Sequence, residues 1–307
     1  MRELIILGTA AQVPTRDRNH NGYFLRWDAS GFLFDPGEGT QRQMTYADLP
    51  ASAITHICLT HFHGDHCLGL PGVVQRLSLD KSQRPVHAYF PKSGTCFFDA
   101  MTHASLFQQN VELLPHPVEA PGILFQNDDF ILSAQKLDHR TECYGYRLQE
   151  TEQRTISMQK LAELGVELQG PQIGMLKKNG QITLPNGSEL RLEDVSTARP
   201  PQIFAYVMDT RPCEGAIALA QNADILICEA TYLDSEEKQA HEYMHMTARQ
   251  AAKLARDANA KMLVLSHFSQ RYLGLSEHLH QAREVFENTH LARDLDHFAF
   301  PKRIRNQ

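Results

Sequence analysis

Thr60-His61-Phe62-His63-Gly64-Asp65-His66 places three histidines and one aspartate in six consecutive positions, with a glycine among them. Ile57-Cys58-Leu59 precedes it, a short apolar run that reads as a buried strand. Cys67-Leu68-Gly69-Leu70-Pro71-Gly72 follows, and then a helix-like run over 73–79. The cluster therefore belongs on a loop at a strand end, where open α/β sheets gather their ligands. Imidazole and carboxylate together suit zinc or another first-row divalent ion. A lone histidine is more often an ordinary polar or core residue. Four candidate ligands this close together outweigh the reading of a solvated polar loop.

Working outward, the 307 residues suffice for one large α/β domain or two modest ones, and 42% hydrophobic residues can bury a core. No apolar run approaches the roughly 18 residues needed to span a membrane. The N-terminus, Met1-Arg2-Glu3-Leu4-Ile5-Ile6-Leu7, runs straight into a strand-like segment without the features of a signal peptide. Cys58, Cys67, Cys96, Cys143, Cys213 and Cys228 are scattered, with no Cys-x-x-Cys pair, so neither a zinc ribbon nor a disulfide framework is expected. These features point to a reduced, cytoplasmic protein with no membrane partner. A net charge of −6 argues against indiscriminate nucleic-acid binding and leaves a local basic surface open.

The fold follows from a recurrence. Four apolar strands each end at a metal-competent residue: Leu59 before His61, Leu137 before His139, Met208 before Asp209, and Leu265 before His267. Strand ends converge on one edge of a sheet or sandwich, so residues far apart in sequence can meet. Further strands are expected over 4–7, 86–90, 144–149 and 225–228, with a hairpin over 23–26 and 32–34. Helices are expected over 91–109, 214–221, 247–258, capped by Thr247, and 277–287. Residues 150–200 change character and read as an insertion or projecting element.

Two loops carry open alternatives. Residues 8–21 form a polar loop, either a solvated connection or a phosphate-contacting loop with Arg16 and Arg18 as fork donors. Asp35 is either a helix cap or an acid that orients a metal-bound histidine.

The form His-x-His-x-Asp-His resembles the signature of the metallo-β-lactamase superfamily of binuclear hydrolases. That resemblance implies an α/β fold, a four-layer αββα sandwich of the metallo-β-lactamase type. It assigns His61, His63 and His139 to one ion and Asp65, His66 and His267 to a second, with Asp209 bridging both. Gly64 would turn the chain so that both pairs of the motif aim inward. Two divalent ions per subunit are implied, zinc first and manganese as the alternative. Such a pair acidifies a water and clamps the oxygens of an in-line displacement, chemistry that suits a phosphodiester, an ester or a lactam.

Further motifs narrow the resemblance. Pro14-Thr15-Arg16-Asp17-Arg18-Asn19, Gly37-Glu38-Gly39-Thr40-Gln41, Gly69-Leu70-Pro71-Gly72, Glu142-Cys143-Tyr144-Gly145-Tyr146-Arg147, Glu229-Ala230-Thr231 and Ser266-His267-Phe268-Ser269-Gln270-Arg271-Tyr272 span nearly the whole chain. Together they resemble the short form of the ribonuclease Z family, endonucleases that mature tRNA 3′ ends. The resemblance implies one hydrolase domain over 1–307 with a flexible tRNA-binding arm at about 150–200. It implies removal of 3′ trailers from precursor tRNA, leaving a 3′-hydroxyl, by a homodimer. Asp65, His245 and Glu229 become catalytic candidates, with His245 as general acid and Glu229 orienting it. Their plainer reading is a surface histidine near a helix cap and a buried structural acid. On the arm, Gly170 and Pro171 match the family's Gly-Pro motif, and Lys177 and Lys178 suit phosphate contact.

Met208 stands where the family has glycine, Cys228 where it has histidine, Met246 where it has serine and Pro36 where cysteine is common. None of these departures removes a candidate ligand. Two rival readings remain: a small-molecule ester or thioester hydrolase of the same fold, and a metal-free RNA-binding homologue.

Overall fold

The computed structural model describes residues 1–301. Two seven-stranded sheets form its main unit. The first runs, in spatial order, His297–Ala299, Arg2–Gly8, Gly22–Trp27, Ser30–Phe34, His56–Cys58, Val86–Pro91 and Leu113–Val118. The second runs Thr289–Leu291, Leu263–Ser266, Ile225–Glu229, Ile203–Val207, Tyr144–Glu150, Phe130–Lys136 and Gly122–Gln126. Ile203–Val207, Ile225–Glu229, Leu263–Ser266 and Thr289–Leu291 pair in parallel. The first three of these strands are buried throughout, because layers cover both faces; that is why they read as continuous apolar runs.

An aromatic layer joins the two sheets. The Phe34 ring lies 4.7 Å from that of Tyr206, 5.5 Å from Phe204 and 6.0 Å from Tyr146. The Tyr23 ring meets Tyr206 edge-on at 5.4 Å. Helices Thr40–Tyr46, Leu70–Leu79 and Thr95–Thr102 close the outer face of the first sheet, where Met44, Val74, Leu77 and Phe98 pack with Leu33 and Ile57. Helices Glu214–Ala220, Ala248–Asp257 and Ser276–Arg283 close the second. Ala248, Ala251, Ala252 and Ala255 form the buried stripe of Ala248–Asp257, at the spacing of one helix face. Thr247 caps that helix: its Oγ1 accepts from Gln250 N at 3.2 Å, and Gln250 Oε1 accepts from Thr247 N at 3.0 Å. The layers are αββα.

Three local expectations change. The helix expected over 91–109 occupies only Thr95–Thr102. Its apolar period fails beyond Met101, and Leu106 is fully exposed. The metal motif is not wholly a loop, since Gly64–Cys67 forms a helical turn. His63 is still extended, so the chain changes direction between His63 and Gly64 by switching conformation. Gly64 is not among the glycines of positive φ, and a Cβ there would meet only the Leu68 side chain, at 2.9 Å. The turn therefore comes from helix initiation and not from glycine's freedom.

Residues 149–202, with 127–130, form a second compact unit. Gln153–Ile156 pairs with Ser196–Arg199, and Gln181–Thr183 pairs with Glu189–Arg191. Helices Met158–Glu163 and Gly170–Asn179 complete it around buried Leu161, Leu176, Leu190 and Val195. Each element buries at most one side chain, which is too few to set a period in the sequence. The unit nevertheless has a core of its own.

The aromatic layer makes a testable demand. Phe34→Ala is expected to lower stability by about 3–5 kcal/mol, read as an earlier midpoint of the main transition in urea.

Candidate metal centre and active site

The four strand ends named from the sequence meet in space. Donor atoms of His61, His63, His139 and Asp209 lie within 4.8 Å of one another, and so do those of Asp65, His66 and His267. Asp209 faces both sets. Its Oδ2 lies 3.7 Å from His61 Nε2 and 3.8 Å from His139 Nε2. Its Oδ1 lies 3.3 Å from His66 Nε2 and 3.1 Å from His267 Nε2. Within the first set, His63 Nδ1 is 2.8 Å from His61 Nε2 and 3.3 Å from His139 Nε2. Within the second, Asp65 Oδ2 is 3.3 Å from His66 Nε2 and 3.5 Å from His267 Nε2.

These spacings fit metal ligation. Donors about 2.1 Å from one tetrahedral ion stand roughly 3.4 Å apart. Asp209 Oδ1 and His267 Nε2 are buried without a hydrogen-bond partner among the described residues, and such orphans call for one. Charge points the same way. Burial pushes the His61, His63 and His139 imidazoles down, towards the neutral form that ligates. Burial opposes the charge on His66, yet Asp209, Asp65 and Asp35 hold it protonated. The three carboxylates demand a positive charge, and a metal ion would replace that proton. The cluster can therefore hold metal ions.

Polar partners orient the side chains of the cluster. Asp35 Oδ2 lies 2.9 Å from His66 Nδ1 and accepts from Thr60 Oγ1 and Tyr206 OH, both at 2.8 Å. Asp35 Oδ1 accepts from Thr60 N at 2.7 Å. Of the two readings of Asp35, the structure selects the acid that orients a histidine. Thr60 Oγ1 also meets His61 Nδ1 at 2.9 Å, Thr231 Oγ1 meets His267 Nδ1 at 2.8 Å, and Met244 O lies 3.2 Å from His139 Nδ1. Each imidazole thus presents its other nitrogen to the cluster. Asp35, Asp209 and His267 all have positive φ, at 41°, 51° and 59°. Residues with a Cβ rarely hold that conformation, and it clusters at functional sites.

His245 lies beside the cluster. Its Nδ1 is 3.1 Å from Glu229 Oε1 and 3.0 Å from Oε2. Glu229 is fully buried and also accepts from Thr210 N at 2.5 Å, Thr231 Oγ1 at 2.7 Å and Met246 N at 3.0 Å. Burial works to lower the His245 imidazole, but Glu229 raises it to about 9. Its ring centroid is 5.3 Å from His139 and 5.4 Å from His267. Met208, Cys228 and Met246 are fully buried, and Cys228 and Met246 pack in the core of the second sheet.

The loop over 8–21 reaches the same cleft, where Gln12 N donates to Asp65 Oδ2 at 2.8 Å. Arg16 is exposed. Arg18 is half-buried, and its Nη2 donates to Ser269 O at 3.2 Å and Tyr272 O at 3.0 Å. The expected pair of fork donors is therefore split, because Arg18 pins one rim loop to another. Gly170 and Pro171 open the helix Gly170–Asn179, Lys177 and Lys178 lie on its last turn, and all four are exposed in the second unit.

Sequence reasoning left three partners without a role: Thr231, which joins Glu229 to His267; Tyr206; and Asn21, whose Nδ2 is 3.2 Å from His66 Nε2. Thr231 was within reach, standing two residues beyond the acid that ends a strand. Tyr206 carried no such signal, since inside an apolar strand it reads as core.

The outer partners can be tested without turnover. Asp35→Asn is expected to weaken metal affinity about 10–100-fold, measured by competition with a chromophoric chelator.

Known proteins resemble the chain throughout. Residues 15–136 match the metallo-β-lactamase superfamily, and residues 194–268 match a β-lactamase superfamily domain. Ribonuclease Z of Nocardia farcinica is 50% identical over 304 residues, covering 98% of this chain and 99% of that protein. Ribonuclease Z of Streptomyces coelicolor is 48% identical over 305 residues, covering 99% of each. The crystal structure of human tRNase Z, short form, superposes with a TM-score of 0.72 at 27% identity, over 98% of this chain and 100% of that one. With relatives this similar over their full length, the chain belongs to the ribonuclease Z family, within the metallo-β-lactamase fold.

Proposed function

We propose that the protein is a metal-dependent endoribonuclease that removes 3′ trailers from precursor tRNA by phosphodiester hydrolysis. The observation that carries this reading is a His/Asp cluster divided by the two oxygens of Asp209, in a chain 50% identical to a ribonuclease Z over nearly its whole length. A small-molecule ester or thioester hydrolase of the same fold would share the cluster, but identity of 48–50% to ribonuclease Z over nearly the whole chain favours the endoribonuclease.

His61, His63, His139 and Asp209 would hold one ion, and Asp65, His66 and His267, again with Asp209, would hold the other. Zinc suits this histidine-rich donor set, with manganese the alternative. When bound, the ions supply Lewis acidity, neutralising phosphoryl charge and acidifying water. The leaving group is the ribose 3′-oxygen, a poor one unless protonated. Glu229 accepts a hydrogen bond from His245 Nδ1, so His245 gives up its proton from Nε2. A water oxygen bonds to phosphorus as the bond from phosphorus to the 3′-oxygen breaks, and the His245 proton passes to the departing 3′-oxygen. The tRNA departs with a 3′-hydroxyl and the trailer with a 5′-phosphate. Arg16 contacts phosphate at the rim, while Gly170, Pro171, Lys177 and Lys178 contact tRNA from the second unit. The working form is a homodimer in the cytoplasm.

Three measurements test this. Asp65→Ala abolishes cleavage of precursor tRNA and leaves the circular dichroism spectrum intact; near wild-type cleavage would refute the assignment. His245→Ala retains its metal and binds tRNA, yet loses on the order of 10²-fold or more in single-turnover rate. A precursor with sulfur at the scissile 3′ position needs little protonation and restores most of that rate; an equal loss on both substrates rules out His245 as the acid. Replacing Lys177 and Lys178 by alanine weakens tRNA binding and lowers the salt slope by about one per lost phosphate contact. An unchanged slope removes both lysines from the interface.

A further inference from the structure

The cleft around the cluster has a volume of about 720 Å³, and its rim carries two arginine–tyrosine pairs. The guanidinium of Arg140 lies 5.1 Å from the ring centre of Tyr243, and that of Arg271 lies 5.0 Å from the ring centre of Tyr232. A second contact fixes each guanidinium. Arg140 Nη2 donates to Glu242 O at 2.9 Å, and Arg271 Nη1 donates to Gln239 Oε1 at 2.7 Å. Gln239, Glu242 and Tyr243 all belong to one short helix, Glu237–Tyr243. Both arginines are exposed, as is Tyr243. The chemistry described above uses none of these side chains.

In sequence, each arginine is tied to a different half of the cluster. Arg140 directly follows His139, which faces Asp209 Oδ2. Arg271 stands on the segment after His267, which faces Asp209 Oδ1. A phosphodiester lying across both halves sends one nucleotide towards each pair. Guanidinium planes and aromatic rings stack unpaired bases, and they do so with little regard to base identity. Arginine laid on a tyrosine ring also holds its plane ready, so less freedom is lost when a base arrives.

We propose that the two pairs are stacking platforms for the unpaired nucleotides flanking the scissile phosphate. One receives the last nucleotide kept by the tRNA, and the other receives the first nucleotide of the trailer. This rests on the reading of the protein as a precursor-tRNA endonuclease. Stacking suits a substrate whose trailer sequence varies, and it excludes a trailer held in a duplex.

The test couples protein to RNA. Arg140→Lys and Arg271→Lys keep the charge and lose the plane. Precursor tRNAs carry an abasic site either at the first trailer nucleotide or at the last retained one. The readout is the enzyme concentration giving half-maximal single-turnover rate. On intact precursor each lysine variant raises that concentration on the order of 5-fold or more, and each abasic site does the same with wild-type enzyme. For the matching arginine and nucleotide the combined loss is no larger than either alone. Tyr243→Leu, at an exposed position, repeats the pattern of Arg140→Lys. Losses that multiply in every combination, or lysine variants that match wild type, overturn the platforms. If wild-type enzyme leaves intact precursor uncut, the endonuclease reading itself fails. If it cuts while the coupling is absent, only the platforms fail.

Discussion

The carboxylate of Asp35 is the point through which the site is built. It accepts from Thr60 N, Thr60 Oγ1 and Tyr206 OH and meets His66 Nδ1, with no exposure to solvent. Thr60 and His66 belong to the metal motif beside the first sheet, and Tyr206 belongs to the second. One buried acid thus ties the motif to both layers. A buried carboxylate without such partners would be strongly unfavourable, so the contacts come as a set. The arrangement also needs backbone precision. Asp35 has a positive φ of 41°, which swings its side chain from the strand end Phe34 across to Thr60. Phe34 itself anchors the aromatic layer between the sheets.

The same logic repeats in the other half. Glu229 ends a parallel strand and gathers Thr210 N, Thr231 Oγ1, Met246 N and His245 Nδ1. Thr231 carries the chain of contacts on to His267. Asp35 and Glu229 are therefore counterparts, each a buried acid at a strand end that orients a histidine. Between them sits Asp209, also in left-handed backbone, with one oxygen towards each donor set. Fixing donors and acceptors before substrate arrives is what makes such a site effective, because little reorganisation remains. The rim follows a similar pattern: Arg18 binds the carbonyls of Ser269 and Tyr272, which steadies the segment that presents Arg271.

The candidate site was largely legible in the chain because its candidate ligands sit where strands stop. An apolar run ending at His61, His139, Asp209 or His267 is a local signal, and its repetition is hard to produce otherwise. Other features left no local trace. Arg18 resembles a phosphate ligand in sequence, and only the folded loop shows its guanidinium against two carbonyls. The unit at 149–202 looked irregular because Leu161, Leu176, Leu190 and Val195 are too widely spaced to show a period, yet they meet in one core.

By itself, then, the sequence determined the α/β class, the residue types of the cluster and, through its motifs, the family. It did so because hydrophobic period and motif spacing are properties of adjacent residues. Tertiary structure alone decided which oxygen of Asp209 faces which donors. It also decided that Asp35 orients His66 rather than caps a helix, and that Tyr206, an apparent core residue, completes that acid. Those outcomes depend on directions in space, on φ angles at strand ends and on which layer lies opposite. Such quantities arise only when distant segments pack, and no window along the chain contains them.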